Sequence, residues 1–290
     1  MSIIVANECL LVWNEMCFVT PASLAHTFSM RFILARAGSV PNTALLEEAS
    51  PRSGSQLMAD SDKGWYIGVV VSASDFDIPR QYRATLIKAL NQFEYAGIIK
   101  RISKGRYYKP RTSRFGELLP PEKEIVRDFL EKDGNTIGYI TGTRAFASLA
   151  LTTQISSVIM VGTNVSRRPL SRGQYRITFL LQPNRIVKDD IPLLVILDAL
   201  RLIKEIPGST TDDAIAQMTV WIKGLSETDR KRLLELCRAY KPYVRAQLGA
   251  ILEYLDFPVE DLLETLNPVS RYKLGISSTI LPTTKNWNIV

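Results

Sequence analysis

The side chains that most often carry catalysis are scarce in this sequence. There is one histidine, His26, and three cysteines, Cys9, Cys17 and Cys237. No Ser-His-Asp, Cys-His or histidine metal constellation can be assembled from them in the main body of the chain. The odd cysteine count matches no metal spacing and fits a reduced, cytoplasmic protein. Neither a G-x-G-x-x-G nor a G-x-x-x-x-G-K-[ST] phosphate cradle occurs. Two acid pairs remain, Asp189 with Asp190 and Asp212 with Asp213, each just ahead of an apolar helical stretch. Helix N-termini favour negative charge, so capping accounts for both pairs. The competing chemistry is a Mg²⁺- or Mn²⁺-dependent nuclease using Asp189, Asp190 or Asp212, since such sites need no histidine. Cys237, on a leucine-rich helix, reads as a buried apolar residue. The expectation is a protein that is not an enzyme and needs no cofactor or metal.

The chemistry that the sequence does concentrate is positive charge. The formal net charge is +7 and the pI about 9.3, but the excess is local. Residues 80–114 hold ten Lys and Arg against one acid, and residues 164–188 hold six against none. The remainder of the chain is net acidic. A cationic run is what a solvated face shows, and also what an anion-binding face shows. The elements around the first run separate the two readings.

"IPRQYRATLIKALNQFEYAG" opens with Pro79 and stops at Gly97, a start and a stop signal for a helix. Tyr82, Leu86, Ala89, Leu90, Phe93 and Ala96 recur every three or four residues as one apolar stripe. Arg80, Arg83, Lys88, Asn91 and Gln92 lie mostly off it. Directly after comes "GIIKRISKGRYYKP", in which Ile98, Ile99 and Ile102 favour strand and Ser103, Lys104 and Gly105 form a turn. Arg106 to Lys109 return, closed by Pro110. Its residues do not alternate cleanly, so pattern alone assigns no faces. Upstream, "GVVVSASDF" is a short β-rich piece with Ser74 or Asp75 able to cap a short helix. Short helix, long cationic helix, cationic hairpin is the plan of a winged helix-turn-helix. Arg80, Gln81, Arg83 and Lys88 are then the groove-facing candidates, and Lys100, Arg101, Lys104 and Arg106 the phosphate contacts of the wing. Tyr107 and Tyr108 pack the hairpin rather than stack on bases.

The stretch "AGIIKRISKGRYYKPRTSRFGELLPPEKEIV" resembles the winged-helix end and linker of antitoxin-like regulators of AbiE-type abortive-infection systems, the type IV toxin–antitoxin class. The likeness continues through "GYITGTRAFASLALTTQISSVIMVGTN", "LLVILDALRLIKEIP", "YKPYVRAQLGAILEYL" and "LNPVSRYKLGI", about residues 64 to 280. The resemblance implies a cytoplasmic repressor that binds inverted repeats in the double-stranded DNA of its own promoter. It also implies an antitoxin that opposes a nucleotidyltransferase toxin, without requiring a stable complex. The chain departs from that pattern in "SPRSGSQLMADSDKGWY", where an amphipathic first helix is expected and Pro51 and Gly54 interrupt it. Residues 1–57 are therefore read as an extension, or as the product of an upstream start with Met58 beginning the natural chain.

The fold class expected is α+β. A winged helix-turn-helix module over residues 58–116 precedes a larger mixed domain over 117–290, with a small β-sheet and a helical C-terminal half. "PPEKEIVRDFLEKDG" reads as a linking helix ending at Gly134. Arg167, Arg168 and Arg172, between the strand-like runs "SSVIMVGTN" and "QYRITFLLQP", form either a second anion-binding loop or a solvated hairpin tip. No secretory signal or membrane span is expected: "MSIIVANECLLVWNEMCFVT" lacks a basic start and is interrupted by Asn7, Glu8, Asn14 and Glu15. A third functional reading is a scaffold whose basic faces bind an acidic partner protein.

Overall fold

The structure, a computed structural model, describes residues 68–290 apart from Ile78 and Phe115, together with Ser50–Pro51. His26, Cys9, Cys17, the extension expected over residues 1–57 and the start of the 58–116 module lie outside the described residues. The fold is mixed α+β with small sheets and several helices. It divides into two compact units, Met1–Ile125 and Val126–Val290.

In the first unit, strand β1 (Val70–Ser72) leads into one 3-10 turn, Ala73–Asp75. The backbone N–H of Ser72 donates to Asp75 Oδ2 at 2.7 Å, and its hydroxyl donates to the same oxygen at 3.0 Å. The cap is thus Ser72, two residues before the Ser74 that the sequence offered, with Asp75 as its partner. A second 3-10 turn, Arg80–Tyr82, feeds helix α1 (Arg83–Tyr95). Gly97, at φ +73°, ends it as expected. Of the anticipated stripe, Leu86, Ala89 and Leu90 are buried, Tyr82 and Phe93 are half-buried, and Ala96 is exposed.

Strands β2 (Lys100–Ser103) and β3 (Arg106–Tyr108) form the anticipated hairpin, with Gly105 at φ +71° in its turn. Strand β1 joins β3 on its other side, giving an antiparallel sheet in the order β1-β3-β2. Arg101 pairs with Tyr107 and Ser103 with Arg106, so Ile102 is the extra residue of a bulge. This is why polar and apolar residues fail to alternate there. Val71, Phe76, Leu86, Ala89, Leu90 and Tyr107 make the core of this unit. A second hairpin, β4 (Arg111–Ser113) and β5 (Gly116–Leu118), and a helical turn, α2 (Glu122–Ile125), complete it.

The linking helix expected up to Gly134 is not continuous. It breaks at Val126 (φ −113°, ψ 11°), resumes as α3 (Arg127–Leu130) and gives way to a hairpin, β6 (Glu131–Lys132) with β7 (Asn135–Thr136). The turn residues Asp133 and Gly134 both have positive φ, at 50° and 77°, the conformation a two-residue hairpin turn requires. Asp-Gly is therefore a turn here rather than a helix end.

The main sheet of the second unit has the order β8-β9-β11-β10: β8 (Gly138–Thr141), β9 (Val158–Thr163), β10 (Leu170–Arg172) and β11 (Tyr175–Leu181). Strands β9 and β11 are parallel, and β10 turns back antiparallel on β11. The two strand-like runs therefore do not form a hairpin with each other. A short helix, α4 (Thr143–Ser148), follows β8. The C-terminal half is helical as anticipated: α5 (Ile191–Arg201), α6 (Thr211–Lys223), α7 (Glu227–Cys237) and α8 (Pro242–Tyr254). Eight consecutive residues of α5, Leu193 to Leu200, are buried, which makes it the central helix of this core. No helix among the described residues is long and apolar enough to cross a membrane.

Candidate nucleic-acid interface

Helix α1 buries the face carrying Leu86, Ala89 and Leu90 and leaves the opposite face open. Arg80, Gln81, Arg83 and Lys88 are all exposed. Arg80 and Gln81 occupy the 3-10 turn that precedes the helix, and Lys88 sits at the middle of its outer face. Ala84, Ile87, Lys88, Asn91, Gln92 and Tyr95 line a shallow concavity of about 440 Å³ along that face. Asn91 and Gln92 lie off the apolar stripe, as their positions in the sequence indicate; Ile87 and Tyr95 were not anticipated, and the i, i+4, i+8 spacing of Ile87, Asn91 and Tyr95 was the signal for them.

The wing candidates divide by environment. Lys104 is exposed at the hairpin turn beside Gly105. Arg106 is half-buried at the start of β3. Lys100 forms an ion pair with Glu117 on β5, which raises its ammonium pKa above the ordinary lysine range. Arg101 is turned back onto the helix. Its guanidinium lies 2.7 Å from Glu94, donates to Asn91 Oδ1 at 2.8 Å and sits 5.4 Å over the Tyr107 ring. The Tyr107 hydroxyl donates to the same Asn91 oxygen at 2.5 Å. Arg101 thus fastens hairpin to helix while its side chain stays 41% exposed. Tyr107 and Tyr108 are both buried, consistent with packing rather than base stacking.

The three arginines of the anticipated second anion loop differ in environment, although Arg167 and Arg172 both lie against the Phe129 ring. Arg167 and Arg168 are exposed in the connection between β9 and β10, with Arg167 5.3 Å over the Phe129 ring. Arg172 is only 5% exposed and grips Asp128 with two hydrogen bonds, at 2.6 and 2.9 Å. It also stacks 4.5 Å over Phe129. The inward side of β10 places it in the core, where the carboxylate offsets part of its desolvation.

Three of the four paired acids have structural partners, and Asp189 is exposed. Asp190 receives two bonds from Arg232, at 2.9 and 2.8 Å, and that contact holds its carboxyl below the usual range. It stands at the N-terminus of α5 but makes no side-chain capping bond, so the capping expected of it is replaced by an ion pair. Asp213 closes a capping box with Thr210 on α6. Asp212 Oδ1 accepts from the Ser277 N–H at 2.8 Å. Cys237 is buried and its thiol is pushed up to about 12 by that burial. Among the described residues, no group of three or more His, Cys, Asp or Glu side chains gathers as for a metal ion.

One buried polar cluster was not anticipated. Asp198, fully buried on α5, accepts from Tyr139 at 2.7 Å, Thr141 at 2.9 Å and Tyr240 at 3.0 Å. Gln182 in turn donates to both tyrosine oxygens, at 2.6 and 2.7 Å. A lone acid inside "LLVILDAL" was the available signal. Burial raises the Asp198 carboxyl to about 6, against the opposing pull of its three hydroxyl donors. The folded chain therefore holds this proton more tightly than the unfolded one. Its stabilising effect is full below pH ~4 and is lost as pH rises from ~4 to ~6, a loss of about 3 kcal/mol. Asp198→Asn removes that dependence. The stability of the variant relative to wild type is expected to rise by about this amount between pH 4 and pH 7 in urea titrations. Parallel curves for the two proteins would contradict it.

The family model described as "Family of unknown function (DUF6088)" matches residues 60–229. The chain belongs to this family. The DUF6088 match takes in α1, the β2-β3 hairpin and the main sheet of the second unit, and ends near the start of α7. Among solved structures, the Rv2827c protein of Mycobacterium tuberculosis is similar at 14% identity and a TM-score of 0.37, over 70% of this chain and 78% of that one. No curated protein matches the sequence.

Proposed function

We propose that this DUF6088 protein is a DNA-binding transcriptional regulator whose first unit acts as a winged helix-turn-helix. The observation that carries the reading is the order of elements around one helix. Exposed, cation-bearing α1 runs directly into the β2-β3 hairpin, and β1, from upstream of the helix, closes the sheet as β1-β3-β2. That arrangement suits α1 to the major groove and the Lys104 turn to the phosphate backbone. The charge supports it: ten cations stand against one acid over residues 80–114. Promoter repression and opposition to a nucleotidyltransferase toxin follow from the sequence resemblance to AbiE-type antitoxins. The proposed role is binding in the cytoplasm, without catalysis.

Anisotropy titration against duplex from the chain's own upstream region tests this. Tight binding is expected, with a log–log salt slope of about −0.9 per phosphate contacted. Lys104→Gln or Arg106→Gln should weaken binding to all sequences and reduce the slope by about one. Arg80→Ala or Arg83→Ala should relax sequence preference. Equal affinity for scrambled duplex would remove the specific-regulator reading. Rescue of a host expressing a nucleotidyltransferase toxin encoded beside this chain, abolished by deleting the second unit, tests the antitoxin part, and the absence of such a neighbour would remove it.

A further inference from the structure

The outer face of α1 is chemically unlike the cationic ends of the same module. From Ala84 to Tyr95 it spans about 16 Å, the length of about five base-pair steps. It carries one cation, Lys88, and no acid. Ile87 remains 45% exposed and Tyr95 96%. Its two amides are not equivalent. The Asn91 oxygen already accepts from both Tyr107 and Arg101, so Asn91 cannot offer an adjacent donor and acceptor to a base. Gln92, the next residue, is exposed, and nothing among the described residues bonds its amide. It keeps the donor–acceptor edge that matches adenine N6 and N7 in the major groove, and Ile87 offers an apolar surface matching the thymine methyl.

Building on the DNA-binding reading, we infer that α1 recognises an A·T-containing half-site of about five base pairs, with Gln92 reading adenine and Ile87 contacting a thymine methyl. In this scheme Arg101 is a positioning residue: it withdraws Asn91 from the groove and leaves Gln92 as the reading amide. The polar and apolar groups of the face supply this A·T discrimination, while the wing cations Lys104 and Arg106 supply sequence-independent affinity.

Selection from a pool of random duplexes, performed with wild type, Gln92→Ala and Ile87→Ala, tests the inference. Both substitutions fall on exposed helix positions, and thermal melts verify that the variants fold. Wild type is expected to enrich a motif with a fixed adenine and a fixed thymine. Gln92→Ala should lose the adenine preference by about 5- to 100-fold at that position alone, and Ile87→Ala should lose the thymine preference. Lys104→Gln should lower recovery of every sequence and keep the motif. An enriched motif that survives Gln92→Ala unchanged, or one made only of G·C pairs, overturns the inference and leaves DNA binding standing. Failure of wild type to retain any duplex overturns both.

Discussion

Trp287→Ala is expected to destabilise the second unit by about 3–5 kcal/mol, read as a fall in the urea midpoint by far-ultraviolet circular dichroism. Trp287 lies at the end of the 3-10 helix Pro282–Trp287, and its indole is among the largest fully buried side chains. The ring rests directly on α8 at Gly249: a Cβ added there would lie 2.1 Å from the indole carbons. The indole N–H donates to Glu253 Oε2 at 2.5 Å, one turn further along the same helix. Backbone bonds between residues 272–275 and 288–290 hold the C-terminus in place around it. Gly249→Ala should therefore evict the ring and destabilise by overpacking, although alanine is the better helix former. The two substitutions address one space, so the double variant should cost less than the sum of the singles. Wild-type stability in Gly249→Ala would refute the contact.

The second large effect concerns the ion pair that replaced an expected surface arginine. Asp128→Ala leaves the buried Arg172 guanidinium without its carboxylate, and the expected loss is about 3 kcal/mol. The Phe129 ring beneath it, itself edge-on to Phe179 at 4.9 Å, gives the cation only partial compensation. Adding Arg172→Met should recover most of the loss, because no charge is then left in the core. Since Arg172 is buried, the effect should change little between low and high salt. A loss below about 0.5 kcal/mol would place Arg172 with the exposed loop arginines instead.

The sequence by itself determined the helices and the cationic hairpin. Apolar spacing, Pro and Gly punctuation and charge runs are local signals, so α1, the β2-β3 hairpin and α5 to α8 were all legible before any contact was known. What lay between distant residues was not. Parallel pairing of β9 with β11 and the inward turn of Arg172 depend on strand neighbours that no local pattern names. The same holds for the hydroxyl cage on Asp198, whose donors lie 42 to 59 residues away. At the candidate interface, sequence made Arg101 and Lys104 equivalent cations three residues apart. The bulge at Ile102 and the Asn91–Tyr107–Glu94 cluster turn Arg101 back onto the helix and leave Lys104 exposed at the turn. Charge is a property of the residue, but its availability to a phosphate depends on which neighbours the fold brings within hydrogen-bonding distance.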